Sequence, residues 1–170
     1  AYTPQEVHVL KAAGKKAIML GVENGYAIGK DIENITRFRK MGVSYITLCH
    51  NGSNDICDSA RGDAEWNGLS PFGKEVVRKM NETGVLVDIS HAAESTFYDA
   101  LETSTYPIIA SHSSARALCN HPRNLTDEQL KALAEQGGVA QICLYKGFIN
   151  EDAEKASLSD AIRHIDHIVD

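Results

Sequence analysis

Residues 70–91 read SPFGKEVVRKMNETGVLVDISH and show the helix–strand pattern on which the fold class depends. A serine followed by a proline is a common helix start, as N-cap and first helical residue. Apolar residues recur at helical spacing as far as Met80, and Gly84 is a typical helix end. Residues 85–90 then form an apolar run typical of a buried strand, and His91 follows directly. The stretch therefore predicts a helix, a short turn and a strand with a histidine at its carboxyl end.

The same alternation of helix and strand extends in both directions along the chain. Further strands are predicted at residues 17–22, 43–49, 107–111 and 139–144. Further helices are predicted at residues 31–41, 92–102 and 126–136, and from residue 157 onward. About five strands alternating with about five helices imply an α/β protein whose parallel strands are joined by helical crossovers. Two architectures fit this order: a doubly wound open sheet and a (β/α)8 TIM-type barrel.

The turn after the first predicted strand favours the barrel. A nucleotide-binding open sheet usually has a glycine-rich phosphate turn at this place. Here residues 21–25 read GVENG, which puts the carboxylate of Glu23 where a phosphate would lie. In a barrel, active-site residues lie at the carboxyl ends of the strands. Chemistry is therefore expected at those ends.

Four predicted strands are followed by side chains that can bind a metal. These side chains are Glu23, His50, His91 and His112. Zinc prefers imidazole nitrogen and carboxylate oxygen, and a carboxylate can bridge two metals about 3.5–4 Å apart. A lone strand-end histidine is more often hydrogen-bonded or solvated, and Glu23 alone could cap the next helix. The occurrence of such side chains after four different strands weakens that alternative. On position alone, metal binding and an ordinary structural role are evenly balanced.

The two histidines of the last helix are expected to face solvent. His164 and His167 lie three residues apart, which is a spacing that metal ligands use. However, Ile162, Ile165 and Val169 are expected to form the buried face of that helix. A structural or solvated role is therefore favoured for both histidines.

Asp88 and Arg123 each have two interpretations. Asp88 either orients a metal ligand from behind or bonds backbone amides. Arg123, in a loop, either holds a substrate carboxylate with two hydrogen bonds or is simply solvated. Nothing in the neighbouring sequence decides between these alternatives.

Composition restricts the partners and the redox chemistry. The chain has 170 residues and a net charge of −6, with scattered basic residues, which argues against nucleic acid as a partner. No apolar run approaches the roughly 20 residues of a membrane span. Free, mostly buried thiols are expected because the cysteines fit no CxxC zinc pattern, although a Cys49–Cys57 disulfide in an oxidising compartment stays open. The cysteines are Cys49, Cys57, Cys119 and Cys143.

Several motifs together resemble the renal, or membrane, dipeptidase family of zinc metallopeptidases. In family order they are GVENGYAI at 21–28, TLCHN at 47–51, GLSPFG at 68–73, VDISH at 87–91, ASHSSAR at 110–116, HPRN at 121–124 and HIDHI at 164–168. Each motif is weak alone, but together they are specific and cover nearly the whole chain.

This resemblance implies a (β/α)8 barrel with a binuclear zinc site that hydrolyses dipeptides, often with tolerance for a D-residue at the C-terminal position. It implies that Glu23 bridges the two metals and that His91 and His112 bind one of them. A metal-bound hydroxide would attack the peptide carbonyl, with Glu23 and His50 as catalytic residues. His50 and Arg123 would also bind the substrate, His50 at the tetrahedral intermediate and Arg123 at the free carboxylate.

Two segments of the family pattern are absent from these residues. One is a His-x-Asp pair on the first strand, which binds the other metal, and the second is an Asp-Phe-Asp-Gly segment whose first Asp is thought to handle the proton. In addition, Tyr26 stands where a histidine is common. We therefore expect residues 1–170 to be a single domain, the central part of the barrel, with about five of its eight βα units. Such a piece would have exposed sheet edges and no activity of its own.

Other functions remain open at this point. A catalytically incomplete or non-catalytic binding protein on the same scaffold is one alternative, and another amidohydrolase acting on small amides is a second. The GLSPFG and HPRN segments favour the dipeptidase branch. A dipeptide is the expected partner, a homodimer stays open, and both a cytoplasmic and a secreted or periplasmic location fit the sequence.

Overall fold

A single parallel sheet flanked by helices forms the protein, as seen in a computed structural model that describes residues 1 and 3–170. The strands are β1 (Leu20–Glu23), β2 (Val43–Thr47), β3 (Leu86–Asp88), β4 (Ile109–Ala110) and β5 (Val139–Ala140). The helices are α1 (Pro4–Ala12), α2 (Glu33–Lys40), α3 (Pro71–Thr83), α4 (Glu94–Thr103), α5 (Asp127–Glu135), α6 (Lys146–Ile149) and α7 (Leu158–Val169), with 3-10 turns at Gly25–Ile28 and Ala153–Lys155. The strand order β1-β2-β3-β4-β5 follows the chain, and every pairing is parallel. The predicted α/β architecture is confirmed.

Helix boundaries follow the local signals of the sequence. Ser70 accepts a hydrogen bond from the Gly73 N–H at 2.8 Å, and α3 ends at Gly84 in the left-handed conformation. Thr126 and Gln129 form the capping box that begins α5. These helix predictions are confirmed. The prediction missed α1, which buries none of its described side chains and so has no clear apolar stripe.

The strands are shorter than predicted because their pairing partners are short. Leu20, the first residue of β1, pairs with Val43, the first residue of β2. Residues 17–19 therefore extend beyond the partner strand, and Ile18 is 71% exposed. At the other edge β5 spans two residues, and Leu144 is 70% exposed. Within the described residues, β1 and β5 each pair on one side only.

The main core lies between the sheet and helices α2 to α5. It includes Ile35, Ile46, Val76, Met80, Val87, Phe97, Ile108 and Leu133. The GLSPFG motif has a packing role here. A Cβ on Gly73 would lie 2.0 Å from the Ile56 carbonyl oxygen, so only glycine lets α3 approach the preceding loop this closely.

The orientation predicted for α7 is wrong. Three residues expected to be buried are 47%, 46% and 79% exposed: Ile162, Ile165 and Val169. By contrast, His164 is buried, and its Nδ1 accepts a hydrogen bond from the Ala115 N–H at 3.1 Å. Its Nε2 lies 3.2 Å from the Ile149 carbonyl oxygen. The imidazole thus hydrogen-bonds the Ala115 N–H and the Ile149 carbonyl oxygen, two backbone groups that an isoleucine would leave unpaired. This explains why the polar side of α7 faces inward.

His167 also departs from the expected solvated state. Its Nε2 lies 2.8 Å from Asp127 Oδ1, at the start of α5, and its side chain is about one-third exposed. The two histidines therefore attach α7 to the rest of the fold.

The cysteines are free thiols, as predicted, and three of the four are buried. A hydrogen bond between the Cys49 and Cys57 side chains, together with burial, raises the pKa of Cys57 well above its usual value. Among the described residues, no helix is both long enough and apolar enough to cross a bilayer.

Candidate metal centre

Three side chains from separate strands converge at the carboxyl edge of the sheet. Glu23 ends β1, while His91 and His112 follow β3 and β4. The two Nε2 atoms of the histidines lie 2.9 Å apart. Glu23 Oε1 lies 3.1 Å from Nε2 of His91 and 3.2 Å from Nε2 of His112. The parallel order of the strands brings these residues together across the sheet, as the sequence predicted.

The protonation states of this cluster suit a cation. Burial, followed by the positive charge of Arg123, lowers the pKa of His91 to about 3 and also lowers the pKa of His112. Both imidazoles are therefore neutral near pH 7, which is the form that binds metals. With their protons on Nδ1, the two neutral imidazoles present Nε2 lone pairs to each other and to the carboxylate. A cation held by all three ligand atoms resolves this conflict, so the residues fit a metal.

The loop after β2 fixes the backbone of two of the histidines. The Ala60 N–H donates to the His91 carbonyl oxygen at 2.8 Å. Ser59 Oγ lies 2.6 Å from the His50 carbonyl oxygen and 3.2 Å from that of His91. These bonds hold His91 in the left-handed region, with φ of 71°, a conformation that costs energy for a residue with a Cβ.

A hydrogen-bonded chain supports His112 from behind. Ser111 Oγ lies 2.7 Å from His112 Nδ1 and 2.5 Å from Asp88 Oδ2. If Nε2 is the ligand atom, Nδ1 carries the proton and donates to Ser111, which in turn donates to Asp88. Asp88 is buried and also accepts hydrogen bonds from Thr47 Oγ1 at 2.5 Å and from the Ser90 N–H at 3.0 Å. Both alternatives for Asp88 therefore occur, since it supports a candidate ligand and bonds backbone amides.

His50 lies at the open side of the cluster. Its ring centroid is 4.4 Å from that of His91, and its Nε2 is 3.8 Å from Glu23 Oε1. Its side chain is 43% exposed, compared with 7% for His91. This imidazole is thus available to a bound molecule, while that of His91 is enclosed.

Arg123 is not a solvated loop arginine. It is 3% exposed, and burial lowers the pKa of its guanidinium. Its Nη2 donates to the His112 carbonyl oxygen at 3.3 Å, and the guanidinium lies 5.4 Å from the centre of the Phe148 ring. Its Nε has no partner within the described part of the chain. A buried cation with an unused donor can bind an anion.

Sequence reasoning missed the serines that organise the site. Ser90 Oγ accepts the His112 N–H at 2.9 Å, in addition to the roles of Ser59 and Ser111. The repeated Ser-His dipeptides at residues 90–91 and 111–112 were a usable signal. No comparable sequence signal indicated Ser59, because its partner His91 lies 32 residues away in the chain.

A comparison with protein families adds the decisive observation. The family described as "Membrane dipeptidase (Peptidase family M19)" matches residues 1–170. The chain belongs to the membrane dipeptidase family. The resemblance found in the motifs is thereby confirmed.

Curated proteins similar to this chain are named dipeptidases, and the chain matches part of their length. Dipeptidase tcpJ of Claviceps purpurea is 37% identical over 169 residues, which are 99% of this chain and 40% of that protein. Dipeptidase aclJ of Aspergillus oryzae is 36% identical over 157 residues, 91% of this chain and 37% of that protein. The chain thus spans about two fifths of these membrane dipeptidase relatives.

Solved structures show the same fold. An amidohydrolase from Pseudomonas aeruginosa is 28% identical with a TM-score of 0.92, and the match covers 99% of this chain and 51% of that one. A metallopeptidase from Rhodobacter sphaeroides, liganded with a phosphinate mimic of the dipeptide L-Ala-D-Ala, is 26% identical with a TM-score of 0.91 over 99% and 50% of the two chains. The five βα units thus correspond to about half of the TIM-like barrel of membrane dipeptidases, and these metallopeptidases imply a metal cofactor.

Proposed function

We propose that the protein containing this chain is a zinc-dependent dipeptidase. The convergence of Glu23, His91 and His112 within 3.2 Å of one another carries this proposal. Family membership supports it, as does the dipeptide mimic bound by the Rhodobacter sphaeroides relative. Two imidazole nitrogens and a carboxylate oxygen form a ligand set that suits zinc.

Each residue would have a distinct part in hydrolysis. Glu23, His91 and His112 would hold one zinc ion, and Glu23 would bridge to a second ion in a binuclear site. Bound zinc supplies a Lewis acid for the peptide carbonyl and lowers the pKa of its water to about 7. His50, at the open side, would donate a hydrogen bond to the carbonyl oxygen as negative charge develops there.

Arg123 would bind the free carboxylate of the dipeptide. Its guanidinium is fixed from one side by the His112 carbonyl and from another by the Phe148 ring. Binding of the carboxylate would therefore cost little side-chain conformational entropy. A fixed carboxylate site near the metal would select short peptides whose C-terminus lies one residue from the scissile bond.

Glu23→Gln in the whole protein tests this proposal. The substitution keeps the size of the side chain but removes the carboxylate charge, so zinc content should fall and dipeptide turnover should be abolished. Zinc is measured by atomic absorption and turnover by release of free amino acids. Glu75→Gln, at an exposed position on α3, is the matched control and should leave both unchanged. A Glu23→Gln protein with normal zinc content and rate would refute the assignment.

A different amide substrate is the second candidate function. The Pseudomonas aeruginosa relative is named an amidohydrolase, so small amides are the alternative substrate class. A panel of dipeptides, N-acyl amino acids and cyclic amides distinguishes the two functions. Preferential hydrolysis of dipeptides over cyclic amides is expected because Arg123 can bind a free carboxylate next to the scissile bond.

A further inference from the structure

The carboxylate of Glu23 depends on the backbone that carries it for its position. Its side chain is 53% exposed, and its Oε1 lies within 3.8 Å of nitrogen atoms of His50, His91 and His112, which belong to the site itself. The next residue, Asn24, has φ of 84° and ψ of 104°, a conformation that is uncommon for a residue with a Cβ. Such a conformation persists only where surrounding contacts impose it, so some contact must hold the chain directly after Glu23.

Asn54, in the loop between β2 and α3, makes that contact. Its Nδ2 donates to Asn24 Oδ1 at 3.2 Å and to the Leu48 carbonyl oxygen at 3.0 Å. Its Oδ1 accepts the N–H groups of Ile56 at 2.8 Å and Cys57 at 3.1 Å. The amide therefore uses both of its donor hydrogens and both acceptor positions of its oxygen. A carboxylate of the same size could accept the two N–H groups but could not donate to the other two partners.

The two bonds donated by this amide join the carboxyl ends of β1 and β2. Asn24 directly follows Glu23, and Leu48 lies two residues before His50. The two loops are also in close backbone contact here, because a Cβ on Gly25 would lie 2.7 Å from the Leu48 carbonyl oxygen. The amide thus fixes the separation of the strand ends that carry Glu23 and His50.

We infer that Asn54 is a positioning residue that holds the Glu23 carboxylate against the two histidine ligands. This inference rests on the proposed zinc site. Asn54 acts through the backbone of Asn24 rather than on the ligand atoms themselves. Loss of a group that orients a metal ligand typically costs 10–100-fold in metal affinity, and for this indirect support we expect the lower end, about tenfold.

Asn54→Asp in the whole protein separates the two halves of the amide. The new side chain keeps an oxygen for the two backbone N–H groups, but it turns a second oxygen toward Asn24 Oδ1 and the Leu48 carbonyl oxygen. Zinc affinity, measured by competition with a chromophoric chelator, should therefore fall about tenfold.

Asn24→Gly removes the same bond from its other side. Glycine adopts a positive φ readily, so this variant loses the acceptor without adding backbone strain, and its zinc affinity should also fall. Because both substitutions break one shared hydrogen bond, the double variant should bind zinc no more weakly than Asn54→Asp alone. Losses that simply added in the double variant would contradict the link between Asn54 and Asn24.

Asn81→Asp is the matched control near the opposite, amino end of β3. Asn81 is also half-buried, and its Nδ2 donates to Ser104 Oγ at 3.1 Å while its Oδ1 accepts the Thr105 N–H at 2.7 Å. This substitution likewise breaks a donated bond and keeps an accepted one. It should lower the free energy of unfolding but leave zinc affinity at the wild-type value.

The outcomes distinguish the positioning role from the proposed function. Wild-type zinc affinity in both Asn54→Asp and Asn24→Gly would overturn the role of Asn54 and leave the proposed function intact. An equal loss of zinc affinity in Asn81→Asp would also overturn it, because the effect would then come from general destabilisation. If the wild-type protein itself bound no zinc, the proposed function would fail and the inference with it.

Discussion

At the scale of single residues, the two candidate histidine ligands are supported differently. His112 Nδ1 faces Ser111 and, through it, the buried carboxylate of Asp88. His91 Nδ1 has no partner within residues 1 and 3–170. Its ring is held instead by enclosure and by the hydrogen bonds to its carbonyl oxygen. His112 is thus oriented by hydrogen bonds and His91 mainly by packing.

Removal of the Ser111 hydroxyl should therefore weaken metal binding. Ser111→Ala would leave His112 Nδ1 without an acceptor and would remove one of the hydrogen bonds to Asp88. Loss of such a supporting partner typically costs 10–100-fold in metal affinity. Zinc affinity is measured by competition with a chromophoric chelator. Ser111→Thr retains the hydroxyl and should restore most of the affinity. Equal affinities for Ser111→Ala and wild type would show that the chain does not orient His112.

At the scale of secondary structure elements, α7 shows where sequence reasoning fails. Caps and glycines act over three or four residues, so Ser70, Gly84 and the Thr126–Gln129 box could be read directly from the sequence. The four strand-end residues were also accessible, because a parallel sheet brings its carboxyl ends to one edge. The inward face of α7 was not accessible. It depends on the Ala115 N–H, which lies 49 residues from His164 in the chain.

Buried His164 should make the stability of the protein sensitive to acid. Burial lowers its pKa below the ordinary value of 6.5, against the opposing effects of the Ile149 carbonyl and of Asp160, while Arg163 and His167 lower it further. The unfolded chain therefore takes up a proton as pH falls below about 6.5, whereas the folded protein resists it. The contribution of neutral His164 to the free energy of unfolding is complete above about pH 6.5. It declines below that pH, by at most about 1.4 kcal/mol per pH unit.

His164→Gln isolates this effect. Chemical denaturation of the whole protein at pH about 7.5 and about 5.5 should show a smaller acid loss of unfolding free energy in His164→Gln than in wild type. His8→Gln, at an exposed position on α1, should behave like wild type. If the acid loss were the same in all three proteins, another group would be responsible for it.

At the scale of the whole molecule, the candidate metal centre joins separate parts of the fold. Its ligands come from the ends of β1, β3 and β4, and Glu23 lies 68 residues from His91 in the chain. Unfolding separates them, so a cation bound by all three favours the folded state. At a free metal concentration of about 100 times the dissociation constant, this linkage is worth about 2.7 kcal/mol.

Metal removal should therefore destabilise the whole protein and not only inactivate it. Dialysis against a chelator is expected to lower the Tm of wild type by a few degrees, and added zinc should restore it, because binding to the folded state alone shifts the equilibrium by mass action. Glu23→Gln should start from a lower Tm in zinc and lose most of this dependence, since one ligand that links β1 to the other strands is weakened. His8→Gln changes an imidazole outside the cluster and should keep the full shift. The same zinc-dependent shift in Glu23→Gln and wild type would place the stabilising metal elsewhere in the protein.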